Sequence, residues 1–307
     1  MATRFSASLV PDCSTTANIR AWAQFIEDLL VTTGGWVVTT DTGQTLPSLL
    51  AVPGAPSTKV GYRIYRMNDA LQATSPVFIR IDFGSAAFSS ATPGIGLIIG
   101  TGSNGSGTIT GIVLNFGGSG GTTFLASQSN AVTAFTSYGS AGPGRVCLSM
   151  FTSGNSAIQW VMGIERTKDA TGADTGIGLL VISGGGIVEG TLNNGMAYSH
   201  YLVLAGGTQP ATEQGLSYIL STQNPTQTFS PGDIGLGIPI PFKGVAQQPG
   251  THFLITNTND VSVEGYISLI LYGQTRTYQQ LNALPTRRTQ RLTTTTDGSS
   301  RVLMRYD

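Results

Sequence analysis

The sequence predicts a mainly β protein: an antiparallel β-sandwich or jelly-roll-like body with one N-terminal α-helix and an extended C-terminal arm. Three observations carry this. Apolar runs of strand length recur at spacings of about 8 to 15 residues, with turn glycines between them. One segment near the N-terminus has helical periodicity instead. The stretch from Arg276 to Asp307 is polar and basic, with six Arg against two Asp.

The helix is read from TANIRAWAQFIEDLLVTTGG, where Ile19, Trp22, Ile26 and Leu29 fall on one face and Phe25 and Leu30 widen it. Ser14, Thr15 and Thr16 offer N-caps, and Gly34 suits the stop. Glu27 and Asp28 stand at the wrong end for the helix dipole. The stripe is expected to pack on a sheet edge or a neighbouring subunit, making Trp22, Ile26 and Leu29 candidate interface residues. Strands are then expected at 35–40, 59–67, 75–84, 94–102, 108–117 and 144–151. In VFIRIDF, Val77, Ile79, Ile81 and Phe83 alternate with Phe78, Arg80 and Asp82, the pattern of a half-buried strand. A hairpin should turn at Thr152–Asn155, and a polar loop over 167–176 should lead into a strand at 177–183. Further strands are expected at 196–204, 252–258 and 263–273. Four prolines in NPTQTFSPGDIGLGIPIPFKG, 224–244, make that segment extended.

Composition narrows the function. The chain has 307 residues, 41 of them Gly, and 40% are hydrophobic, enough for a real core. Only 10% are charged, and 16 basic residues balance 16 acidic ones. Such a charge-poor surface points toward cover by neighbouring subunits. Thirteen of the 16 basic residues are Arg, the residue favoured at protein–protein interfaces. No apolar run is long enough for a spanning helix. The opening MATRFSASLVPDCSTT lacks the basic-then-apolar layout of a signal peptide. Cys13 and Cys147 make no disulfide framework and are read as free thiols.

Reactive constellations are hard to find. Gly100, Gly102 and Gly105 form a G-x-G-x-x-G in IIGTGSNGSGTITGIVLN, the spacing of a dinucleotide loop. Two more glycines and a β-branched run follow where that loop needs a helix, so the stretch reads as strand, turn, strand. His200 and His252 have no metal-ligand spacing with each other or with the cysteines. Glu165, Asp169, Asp174 and Glu189 cluster in sequence, as a glycosidase pair would need, but they also fit a solvated hairpin loop. No catalytic, cofactor-binding or metal-binding residues are assigned, and no enzyme activity, cofactor or nucleic-acid partner is expected. Of the tryptophans, Trp22 is claimed by the helix and Trp160 by a strand, leaving Trp36 as a sugar platform.

Several stretches together carry a resemblance: DTGQ at Asp41–Gln44, GYRIYRMNDALQATSPVF from Gly61 to Phe78, and the glycine string from Gly100 to Gly111. ERTKDATGADTGIGLLVI at 165–182 adds a fourth. This pattern resembles a widespread group of tailed-bacteriophage virion structural or minor tail proteins, over roughly residues 1–185. The resemblance implies a structural subunit of the particle, in the tail or neck, made in the host cytoplasm. Its implied partners are other virion proteins and copies of itself. A receptor- or glycan-binding tail-tip module that contacts host surface glycan is the alternative, and a capsid decoration protein is another. In NDALQAT, Asn68 and Asp69 are expected to cap a short helical turn before Pro76, with Arg63 or Arg66 clamping Asp69.

The expected layout is an N-terminal segment and helix over 1–34, a β body over 35–275 and a basic arm over 276–307. If the body holds two sub-domains, they divide near 206. The arm is expected to order on another subunit, since TRRTQRLTTTTDGSS has little to bury while RVLMRYD ends apolar. Arg287, Arg288 and Arg291 would meet carboxylates there, while Leu303, Met304 and Tyr306 fill a groove.

Overall fold

The computed structural model of the chain describes residues 4–10, 12–45, 50–86, 89–116, 125–126, 134–150, 160–168, 174–183, 198–203, 238–241, 249–257, 266–271, 274–280 and 300–307. The described protein is mainly β, with antiparallel sheets and a single N-terminal helix. The helix, α1 (Thr16–Glu27), opens on Thr15, whose hydroxyl accepts the Asn18 N–H at 3.3 Å. From Asp28 to Thr33 it widens into a π-helical turn, with Gly34 N–H reaching back to Leu29 O at 2.9 Å. Val31, Thr32 and Thr33 are β-branched and weaken regular helix there. The left-handed residue that ends it is Gly35, at φ 73°, one position beyond the expected stop.

A first sheet runs in the order β2 (Val37–Val38), β3 (Lys59–Arg66), β4 (Phe78–Ala86), β5 (Ser89–Ser103) and β6 (Ile109–Phe116). A short β7 (Leu125–Ala126) pairs with the first half of β5. The second sheet begins with β1 (Arg4–Leu9) beside β8 (Phe135–Gly142). It continues as a meander through β9 (Arg145–Met150), β10 (Trp160–Lys168), β11 (Asp174–Ser183) and β12 (Tyr198–Val203). The third sheet takes its strands from β13 (Ile238–Pro241), β14 (Pro249–Asn257), β15 (Tyr266–Leu271), β16 (Gln274–Gln280) and β17 (Ser300–Arg305). Its order is β13-β14-β17-β16-β15, so the proline-bearing β13 sits on an edge, where a missing N–H is tolerated. All strands of the first two sheets precede residue 204, and all strands of the third follow residue 237.

One core cluster draws on α1, the first sheet and the second sheet. Trp22 meets Phe83 of β4 edge-on at 5.7 Å, while Phe25 meets Phe5 of β1 at 5.3 Å, so the helix touches both sheets. Each such fully buried side chain contributes about 1.5–3 kcal/mol. The helix approaches β8 closely enough that a Cβ on Gly139 would lie 2.5 Å from Leu29. This is why β8, FTSYGSAG, lacks the sequence pattern of a strand. Its inward face must be small (Ser137, Gly139, Ala141), which removes the apolar alternation that marks a strand. In β1, only Phe5, Ala7 and Leu9 alternate with polar residues, too short a run to stand out.

Several expectations are corrected. Trp22, Ile26 and Leu29 are 3%, 0% and 0% exposed and belong to the chain's own core, not to a subunit interface. Residues 300–305 are no arm: β17 is the central strand of the third sheet, pairing Leu303 with Leu254 on one side and Gln280 on the other. The boundary at 276 falls inside β16. The N-terminal segment is likewise not separate, because β1 completes the second sheet. Trp36 is buried, with its indole N–H donating to Gly142 O at 2.9 Å, so it offers no sugar platform. The turn expected at Thr152–Asn155 lies outside the described residues, although β9 and β10 do pair as that hairpin requires.

Candidate functional site

Three of the stretches that carry the resemblance meet around the β5–β6 hairpin, while the fourth, at 165–182, lies on β10 and β11 of the second sheet. β5 and β6 pair across the turn Asn104–Thr108, so the glycine string is strand, turn, strand with no helix after it. The Asn104 N–H donates to Thr108 O at 3.0 Å and closes the turn. Asp41 binds that turn from outside: one carboxylate oxygen accepts the Gly107 N–H at 3.0 Å, the other the Ser103 hydroxyl at 2.7 Å. Thr42 N–H donates to Gly105 O at 2.9 Å. Gln44 completes the motif, donating to Thr39 O and accepting the Ile64 N–H, both at 2.8 Å. Burial alone would raise the Asp41 carboxyl. The hydrogen bonds from Thr39, Ser103, Gly107 and Gly105 outweigh it and hold the group below its ordinary value.

A second layer supports the hairpin. Tyr62 donates its hydroxyl to Thr42 O at 2.8 Å and lies against Gly107, where a Cβ would stand 2.3 Å from that hydroxyl. Gly107 also has φ 93°, so only glycine fits. The Arg80 guanidinium stacks 4.0 Å from the Tyr62 ring centre, donates to Gly107 O and pairs with Asp82 at 2.8 Å. Lys59 reaches the same Asp82 oxygen at 2.7 Å. Arg80 and Asp82 are thus buried on the face expected to be half open. Both faces of β4 are covered: one by the core, the other by this cluster.

The other charged residues also bridge elements. Glu27, at the helix end where it opposes the dipole, accepts from Arg63 at 3.0 Å and Tyr65 at 3.2 Å, which offsets that mismatch. The NDALQAT turn forms over residues 69–75, with Ser75 N–H reaching Leu71 O at 2.7 Å. Its clamp is neither Arg63 nor Arg66: Asp69 takes a two-pronged bond from Arg166 of β10, at 2.6 and 2.9 Å. That partner stands 97 residues away, beyond any local reading.

The outer face of the second sheet holds a charged seam. Arg305, at the end of β17, pairs with Glu165 at 3.3 Å and Asp307 at 2.6 Å. Ser140 donates to Arg305 O at 3.0 Å and accepts from Arg145 at 3.1 Å. Tyr306 packs edge-on against Tyr138 at 5.8 Å, and its N–H donates to Thr277 O at 2.8 Å. Met304 and Tyr306 are 0% and 3% exposed, so they fill the chain's own seam where an intersubunit groove was expected. Burial would raise Asp307, but the Arg305 hydrogen bond and the charges of Arg305 and Arg145 hold it low.

The remaining sequence candidates do not converge here. Arg287, Arg288 and Arg291 lie outside the described residues, as do Asp169 and Glu189. Glu165 is engaged with Arg305. His200 stands on β12 and His252 on β14, in different sheets. Among the described residues no three His, Cys, Asp or Glu side chains gather as metal ligands. Both cysteines are buried free thiols, pushed up to about 12 chiefly by burial, and so are poor nucleophiles. No helix among the described residues is long and apolar enough to cross a membrane. The chain matches no family model, no curated protein and no solved structure.

Proposed function

We propose that the chain is a structural subunit of a tailed-bacteriophage particle, placed in the tail or neck and working through repeated contacts with copies of itself and other virion proteins. The observation that carries this reading is the use made of the resembling residues. Asp41, Thr42, Gln44, Tyr62 and Gly107, joined by Arg80, spend their polar groups holding one hairpin in place, as a scaffold needs and a reaction centre does not. The 10% charge content supports it too, because the charged side chains described above largely join the chain's own elements and leave a neutral surface for packing. On this reading the first and second sheets form a β-sandwich around α1, and the chain carries no catalytic step.

The test is to look for the chain in purified particles by peptide mass spectrometry and to measure the isolated protein by native mass spectrometry. Particle peptides together with a closed oligomer are the expected result. A monomer with no particle peptides overturns the proposal. Purified protein that blocks adsorption to the host would shift the assignment to a receptor- or glycan-binding tail-tip module.

A further inference from the structure

The tip of the β5–β6 hairpin carries chemistry that its scaffold role leaves unused. Asn104 is exposed, and its side-chain Oδ1 accepts the Ser106 N–H at 2.9 Å and the Thr108 N–H at 3.0 Å. Two donors on one carbonyl oxygen draw electron density from Cγ. They also stand where negative charge develops if a nucleophile adds to that carbon. The next residue supplies the nucleophile. Gly105 lies at φ 79° with nothing within 4 Å of where a Cβ would be, and its N–H is turned toward the Asp41 carboxylate, a base able to draw off the amide proton.

We infer that Asn104 and Gly105 form a self-modification site, at which the Gly105 backbone nitrogen attacks Cγ of Asn104. The N–Cγ bond forms and the Cγ–Nδ2 bond breaks. Nδ2 departs as ammonia, taking up through solvent the proton that the Gly105 amide gives up, and a five-membered imide remains. Water then opens the imide at either carbonyl and leaves Asp or isoaspartate at position 104. Nothing is oxidised or reduced, and water is the only co-reactant.

The other described asparagines lack this setting. Asn18, Asn68, Asn115 and Asn257 precede Ile19, Asp69, Phe116 and Thr258, whose side chains crowd the attacking nitrogen. The product also matters to the fold. A carboxylate at 104 adds negative charge beside Asp41, which already binds Ser103 and Gly107. The isoaspartyl form lengthens the main chain inside the turn that Asn104 N–H and Thr108 O close. Conversion therefore loosens the clamp at an exposed tip, and this holds whether or not the chain is a virion subunit.

The test is a peptide map of the full-length protein after incubation in mildly alkaline buffer, folded and in urea, with an isoaspartate-specific methylation assay. Residue 104 should convert roughly tenfold faster than any other described asparagine, and faster folded than unfolded, since the two donors are in place only in the fold. In Asn104→Gln the ring would have six members, and ammonia release from that peptide should stop. Conversion no faster in the folded chain, or first at another described asparagine, overturns the inference.

Discussion

The β5–β6 hairpin and the C-terminal strand are both held by charged side chains, to different ends. At the hairpin, Asp41 and Arg80 bind backbone groups of one turn, and every partner belongs to the first sheet or the loops that flank it. At the seam, Arg305 and Asp307 engage Glu165 and Arg145 of another sheet, across at least 140 residues of sequence. A charge aimed at local backbone shapes a turn, whereas a charge aimed at another sheet couples two bodies. Damage to the hairpin should therefore stay local, and damage to the seam should spread.

The largest effect is expected from ending the chain at residue 299. Removal of β17 takes the central strand out of the third sheet and leaves β14 and β16 with open edges. Far-ultraviolet circular dichroism should show lost strand content and calorimetry a lower melting temperature; an unchanged melting curve would mean the seam couples nothing. Next comes Arg305→Met, which leaves Glu165 without this buried partner and should lower stability by about 3 kcal/mol in urea titration. Hydrogen exchange should then rise throughout the third sheet, and a rise confined to residues near 305 would mean that the seam acts as locally as the hairpin.

Arg80→Met should cost about 2 kcal/mol, since Lys59 still faces Asp82, and exchange should rise only over residues 100–111. Asp41→Asn keeps the shape of the acceptor but loses its charge, so about 1 kcal/mol is expected, again with local exchange. The smallest effect is its pH dependence. The Asp41 carboxyl lies lower in the folded chain than in the unfolded one, where it titrates at about 3.9. Its stabilising contribution is therefore full above that value and is lost as pH falls through the folded one. The stability gap between the natural chain and Asp41→Asn should be constant near neutrality and close in acid. A gap that widens in acid would contradict the sign.

The predominance of strand, the helix and its Thr15 cap, and the turn at Asn104–Thr108 were legible in the residues, because each rests on local periodicity, capping or glycine conformation. The strands at 59–66, 78–86 and 145–150 were legible for the same reason. Local patterns could not reveal which element covers which face. Arg80 and Asp82 read as half open, yet the hairpin, Lys59 and Tyr62 close over them. RVLMRYD read as an arm for another subunit because its apolar residues had no visible partner nearby. Its partners lie far along the chain: Leu254 stands on the neighbouring strand of the same sheet, while Glu165 is 140 residues away on another sheet and Tyr138 farther still, so only strand pairing and the packing of sheet on sheet bring them together. Local backbone preference acts between near neighbours along the chain. Burial and ion pairing act between neighbours in space, and those are set only when the sheets meet.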